Sequence, residues 1–274
     1  MRNLLIILLL GFMSITVRGQ LEVGLFGGGS FYMGDLNPSV PFLQTNPAIG
    51  LLARYNLNSR WVARLSGYQG VLTGDDDVSG FLPQRSLSFR SGITELAGIM
   101  EFHFLPYYNG SMKEYWTPYL FGGAAMLYHR PQRNEQDLRD FGTEGQNDRG
   151  QLPITEARDR YSYFAFSIPF GMGIKYSFSK RISATIEWGM RKTFVDYIDD
   201  VSTTYYLDAL DNPDVIDNTN REDALYSDPL LEHNALMQRG NSKTTDWYSF
   251  AGLTLTYYID MINRNKCSDF EERY

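Results

Sequence analysis

The ionisable residues of this chain fall into three patterns. The first is a set of isolated charges of both signs, spaced among small and apolar residues: Glu22, Arg54, Arg64, Glu95, Glu101, Lys175, Glu187 and Arg191. Brought together out of water, such a set could carry a proton or ion path, or could pack as mutually neutralising ion pairs. The second pattern is carboxylate-rich: GDDDVSG at 74–80 and DYIDDVSTTYYLDALDNPDVIDN at 196–218. Carboxylate oxygens at flexible spacing could hold calcium weakly, but neither stretch has the Gly at six and Glu at twelve of a twelve-residue calcium loop. Their composition fits solvated surface loops better, and no metal or cofactor is assigned. The third pattern is the nucleophile and base inventory: His103, His129, His233 and a single cysteine, Cys267. A hydrolytic triad needs a nucleophile, a base and an orienting acid within reach of one another. No Gly-x-Ser-x-Gly elbow is present, and the chain is not expected to be an enzyme or to take a small-molecule substrate.

The elements that must position these groups begin after residue 19. Residues 1–20, MRNLLIILLLGFMSITVRGQ, have a charged start at Arg2, an apolar core from Leu4 to Phe12, and Val17 and Gly19 before a plausible cleavage site. This is the pattern of a secretory signal peptide over 1–19, and the apolar run is too short for a spanning helix. The segment holds two cations and no acids, so its removal takes the net charge from −7 to −9. An acidic chain of this kind is not expected to bind nucleic acid.

Eight segments of the remaining chain read as strands: 21–32, 48–57, 61–71, 90–104, 118–129, 164–178, 182–191 and 247–259. The clearest is FAFSIPFGMGIKYSF, with Phe164, Phe166, Ile168, Phe170, Met172, Ile174, Tyr176 and Phe178 on one face. Its other face is Ala, Ser, Pro, Gly and Lys175. A period of two over this length marks a β-strand with one apolar face. ISATIEWGMR repeats the arrangement, with Ile182, Ala184, Ile186, Trp188 and Met190 opposite Glu187 and Arg191. The phase of 118–129 (PYLFGGAAMLYH) is ambiguous.

A soluble barrel puts its bulky side chains inside and its polar ones in water. Here the bulky face is continuous and aromatic, whereas the other face is small or charged. That inversion suits a bilayer, with apolar side chains toward lipid and small or paired polar groups toward the lumen. The connections sort by length. Long polar segments at 33–47, 72–89, 130–161 and 196–246 alternate with short ones at 56–61, 106–116 and 177–182. The expected fold is an all-β, eight-stranded antiparallel transmembrane barrel over 20–260, in contact with outer-membrane lipid. Short turns and both termini lie in the periplasm, long loops outside, and 261–274 form a periplasmic tail. In a barrel this small, side chains fill the interior. The eight isolated charges are therefore expected as an ion-pair plug, and the barrel is expected to conduct poorly.

GGGSFYMGDLN (27–37), AIGLLARYNLNSRWVARL (48–65), TPYLFGGAA (117–125) and GMGIKYSFSKR (171–181) carry a family resemblance. In this order they resemble the PorG-type outer-membrane barrel of the Bacteroidota type IX secretion system. The resemblance implies a barrel held to a periplasmic ring made of a lipoprotein and its ring partner, in a machine that secretes protein and in some bacteria drives gliding motility. Contacts with such a ring would fall on the short-turn face, with Lys113, Glu114, Lys180 and Arg181 as candidates. Cys267 would lie on the same side, where thiols are exposed to oxidation. An unpaired cysteine there is a candidate for an intermolecular disulfide or a free thiol. Two other function classes stay open: a surface barrel acting like an adhesin through its loops, and a hydrophobic-ligand channel or lipid-modifying barrel enzyme.

Overall fold

A computed structural model describes residues 20–146, 158–207 and 221–259. The signal segment 1–19 and the tail with Cys267 lie outside the described residues. Eight long strands run β1 (Gln20–Met33), β2 (Asn46–Asn56), β3 (Trp61–Asp75), β4 (Ser88–His103), β5 (Trp116–Arg133), β6 (Phe164–Ser177), β7 (Ile182–Thr193) and β8 (Trp247–Ile259). Each pairs antiparallel with the next in sequence. β8 then returns to β1, with Leu21 opposite Ile259 and Met33 opposite Trp247. The sheet is therefore a closed barrel with no free edge, so its backbone polar groups are paired within the wall. Among the described residues no helix is long and apolar enough to cross a membrane.

The exterior is apolar. Leu25, Leu51, Leu65, Phe166, Ile174, Ile186 and Leu255 all stand exposed on the outer wall. In water this continuous surface would be far larger than a soluble monomer tolerates. Aromatic rings gather at the short-turn end (Trp61, Phe104, Trp116, Tyr176, Phe178, Tyr257) and at the long-loop end (Tyr128, Phe164, Trp188, Trp247). Two girdles flanking an apolar band are the outer surface of a transmembrane barrel.

Local chemistry sets the short turns. Asn58 Oδ1 accepts the Arg60 and Trp61 amides at 2.8 and 2.9 Å. Ser179 Oγ accepts the Arg181 and Ile182 amides at 3.3 and 3.1 Å. In both, a short polar side chain replaces water on the backbone of a tight reversal. The strands are longer than a bilayer requires. At about 3.3 Å per residue and a tilt of about 40°, the 18 residues of β5 rise roughly 45 Å, against an apolar band of about 25 Å. The excess carries the wall past the long-loop girdle, where a short strand, Gln136–Asp137, continues from β5.

Two expectations change. The undecided phase of β5 resolves with Thr117, Tyr119, Phe121, Ala125, Leu127 and His129 inward. The inner face is also not uniformly small, because Phe26, Tyr68, Tyr119, Phe121, Tyr248 and Phe250 point into it and are buried. Charged side chains alone cannot fill an eight-stranded interior, and these rings supply the remaining volume.

Ile186 and Leu253 face each other across the β7–β8 pair and are 67% and 45% exposed on the wall. Replacing either by Arg is expected to cost about 2–4 kcal/mol in vesicle-reconstituted protein. Denaturant titration of the folded fraction checks this, and an unchanged midpoint would contradict a lipid-facing wall.

Candidate functional site

The lumen holds four buried carboxylates, Glu22, Glu95, Glu101 and Glu187, and four buried cations, Arg54, Arg64, Lys175 and Arg191. Alternation directs them inward, since each lies on the strand face opposite the lipid-facing residues. They meet in three layers. Nearest the short turns, Lys175 Nζ donates to both Glu22 oxygens at 2.8 and 2.7 Å. In the middle, Arg54 donates to Glu101 at 2.9 Å and Arg64 to Glu187 at 2.5 Å. The Tyr68 and Tyr119 hydroxyls also donate to Glu187, at 3.1 and 2.7 Å, and Arg64 lies 4.8 Å from the Phe121 ring centroid. Above, Arg191 pairs with Glu95 at 3.2 Å while Tyr248 donates to the same carboxylate at 2.6 Å. The Arg191 guanidinium stacks over Phe250 at 4.7 Å. Formal charge cancels within the set, and the Arg64 and Arg191 guanidinium groups have aromatic faces to lie on. This lumen is packed rather than open.

Both ends of the plug are closed by residues that no sequence period marks. At the short-turn end the 104–115 connection folds back under the mouth. Tyr107 is buried with its ring 4.7 Å from Lys175 Nζ, and Asn109 Nδ2 donates to Glu22 at 3.2 Å. Gly110 has φ +75°, and its amide donates to Ser177 Oγ at 2.9 Å. A Cβ there would stand 2.6 Å from Lys180 Cα. Only glycine allows this approach, which packs the 104–115 turn against the 178–181 turn. Lys113, Lys180 and Arg181 are exposed on these two turns and Glu114 is half-buried. Arg181 reaches the Tyr257 hydroxyl at 3.2 Å, tying β8 to the same face.

At the long-loop end the described parts of all four long connections meet in one cap. Arg85 donates to Asp76 at 2.8 and 2.6 Å, to the Asp35 carbonyl at 3.0 Å and to the Arg239 carbonyl at 2.5 Å. Arg239 in turn donates to Glu144 at 3.1 Å and to the Asp200 carbonyl at 2.5 Å. Glu144 accepts the Ser202 and Thr203 amides at 2.9 and 3.0 Å. The Tyr32 hydroxyl at the top of β1 bonds both Asp199 and Asp246, the latter at 3.0 Å. A Cβ at Gly34 would lie 2.1 Å from that hydroxyl, so the Gly-Asp-Leu-Asn turn needs glycine for the contact to form.

These acids correct the expectation of solvated loops: Asp76, Asp199, Asp200 and Asp246 are buried. Burial pushes Asp196 and Asp200 up to about 7. Burial, and then a neighbouring carboxylate, pushes Asp199 and Asp246 well above the usual range. The cap thus tolerates its acids partly by holding their protons and partly by pairing them with Arg85 and Arg239. The three histidines lie apart. His103 sits 3.6 Å from Glu101 in the plug, His129 stacks on Tyr161 above, and His233 lies against Tyr205 and Asp228 in the cap.

A family model described as a domain of unknown function, DUF6089, matches residues 1–208. No curated protein matches the chain. Among solved structures the chain is similar to the attachment invasion locus protein Ail of Yersinia pestis, at 10% identity and TM-score 0.42, covering 88% of this chain and 99% of that one. It is also similar to the N-terminal β-barrel domain of Pseudomonas aeruginosa OprF, at 14% identity and TM-score 0.37, with coverage of 88% and 99%. A third is Neisserial surface protein A, at 7% identity and TM-score 0.40, with coverage of 88% and 96%. The membrane-barrel assignment rests on strand closure and the apolar exterior.

Glu187→Ala would leave Arg54 and Arg64 with Glu101 alone in a buried site, at an expected cost of about 3–5 kcal/mol. The denaturant midpoint in vesicles checks it. For the cap, acids whose folded pKa is raised bind more protons folded than unfolded. The stability contributed by Asp196 and Asp200 is therefore full below about pH 4 and is lost as pH rises through about 7. Amide exchange over 195–207 and 238–246 should accordingly be slower at pH 5 than at pH 8, after correction for intrinsic rates.

Proposed function

The chain belongs to the DUF6089 family of domains of unknown function, and we propose that it acts as a non-conducting outer-membrane anchor for a periplasmic ring of the type IX protein secretion machinery. Its partners in this reading are the ring lipoprotein, that lipoprotein's ring companion and outer-membrane lipid, in a cell that secretes protein by this route and in some species glides. The observation that supports it best is the built lower face. A packed lumen leaves a barrel its two surfaces to work with. The 104–115 and 178–181 turns form one locked platform, carrying Lys113, Glu114, Lys180 and Arg181 beside the end of β8. The segments 27–37, 48–65, 117–125 and 171–181 supply the resemblance to the secretion barrel, and 171–181 lead into that platform. Both termini take the periplasmic side, with the cap outside. In sequence Cys267 follows Ile259 by eight residues, and in this reading it is the candidate for a disulfide to a lipoprotein thiol.

A second reading, a surface barrel acting through its loops, is favoured by the folding of the cap into a single body. The two separate experimentally. Under the anchor reading, Lys180→Glu with Arg181→Glu lowers the ring lipoprotein recovered with the barrel in mild detergent at least severalfold, whereas deletion within 208–234 does not. Non-reducing gels of membranes show a high-mass band that reductant and Cys267→Ser both remove. The opposite ranking of the two variants, with loss of surface binding on loop deletion, selects the second reading.

A further inference from the structure

Between the cap and the outer wall lies a cavity of about 780 Å³. Its floor is outward-facing wall: Met33 of β1, Trp247 of β8 opposite it, and Met190 of β7. The floor runs on into lipid-facing rings. Trp247 meets Phe170 edge to face at 6.1 Å, and Trp188 meets Phe42 at 5.9 Å. Phe42 comes from the β1–β2 loop, which reaches down over the outside of the wall to cover Phe31. An occupant on this floor would have one end in hydrocarbon.

The roof has a different chemistry. It is Asp35, Gln238, Asn241, Thr244 and Thr245, hanging from two loops. The neighbouring cations are already committed, Arg85 to Asp76 and two carbonyls, and Arg239 to Glu144 and Asp200. Beside Pro38, Phe81 and Leu82, the roof offers the remaining capacity of one carboxylate, two carboxamides and two hydroxyls: Asp35 already accepts the Asn241 amide, Gln238 donates to the Gly240 carbonyl, and Thr244 and Thr245 donate to the Asn241 and Thr193 carbonyls. Such a set matches hydroxyl groups and is not a trap for a bare phosphate. At the margin of the floor, Lys192 Nζ lies 5.4 Å from the Trp247 ring centroid.

We propose that this cavity is a binding site for a glycolipid, with its sugar hydroxyls under the Asp35–Asn241 roof and an acyl chain along Trp247 and Met190. The assignment to the outer leaflet rests on the orientation proposed above, but the site itself does not depend on the ring partner. It would hold a lipid at the seam where β8 closes onto β1, on the side of the wall covered by the Phe42 loop.

The test uses the full chain purified in a detergent without a sugar headgroup, titrated separately with lipid A freed of its phosphates and with dioleoyl phosphatidylethanolamine and read by native mass spectrometry. Wild type is expected to retain this lipid A in preference to the phospholipid. Trp247→Ala, and separately Gln238→Ala with Asn241→Ala, should weaken that retention about tenfold, equivalent to ~1.4 kcal/mol. Leu120→Ala, on the wall at β5, should leave it unchanged. The double variant alters exposed loop residues only, so it remains informative if Trp247→Ala fails to fold. Equal retention of the two lipids, or equal retention by all variants, overturns the proposal. Retention of lipid A that survives Lys180→Glu with Arg181→Glu keeps this result separate from the ring-anchor test.

Discussion

The constraint on which this barrel depends is that charge buried in its lumen must be cancelled there. Arg54, Arg64, Glu101 and Glu187 are essentially inaccessible and come from four different strands, β2, β3, β4 and β7. Taking such ions out of water costs several kcal/mol each, and pairing roughly returns that cost, so the cluster is weak evidence for net stability. Its stronger consequence is for register. A slip of one residue in any of these strands would turn its charge to lipid and leave its partner buried alone. Because Arg54 meets Glu101, Arg64 meets Glu187, Lys175 meets Glu22 and Arg191 meets Glu95, every strand from β1 to β4, together with β6 and β7, is held in register across the lumen as well as by its neighbours.

Along the barrel axis the interior changes character. Near the short turns it is ionic. Towards the long loops it becomes aromatic and then aliphatic, ending in a cluster that includes Tyr32, Leu36, Leu72, Phe89, Ile93, Ile198 and Val201. Leu36, Ile198 and Val201 belong to loops, so the cap has its own core and that core sits in the mouth of the barrel. This explains why strands rising past the bilayer do not simply fray. It also explains how acids such as Asp199 can be buried at all. A loop that closes over an apolar mouth takes its polar groups out of water, and these survive there as protonated acids or as partners of Arg85 and Arg239.

The legible part of this structure is the part a bilayer disciplines. Where one strand face must be apolar, the other declares itself, which is why Glu22, Arg54, Glu95, Lys175 and Glu187 could be assigned to the lumen from alternation alone. Which of them pair was not legible, because that depends on how far the sheet shears as it closes. The phase of β5 was hidden for a local reason. Gly122–Gly123–Ala124–Ala125 offers no contrast between faces, and a Cβ at Gly123 would lie 2.1 Å from the Gly98 carbonyl, so this stretch is chosen for close strand approach. The cap was misread because irregular chain has no period to betray burial. The available signal was weaker: isolated arginines, Arg85 and Arg239, placed in mostly acidic loops. Tyr107 and Asn109 were missed similarly, as turn residues whose partners, Lys175 and Glu22, lie far away in sequence.

A barrel filled in this way separates the chemistry of its two ends. Among the described residues, buried ion-paired layers stand between the cap and the platform, and they have little freedom to rearrange without exposing a buried charge. A conformational signal crossing the membrane through this chain would have to break the Arg54–Glu101 or Arg64–Glu187 contacts, which are buried between the two ends. The two ends are therefore coupled by position alone. Whatever meets the 104–115 and 178–181 turns has a set place relative to whatever meets the cap or the side cavity. Rigid attachment of that kind is what a sealed barrel can offer, and it calls for no conduction, catalysis or motion within the wall.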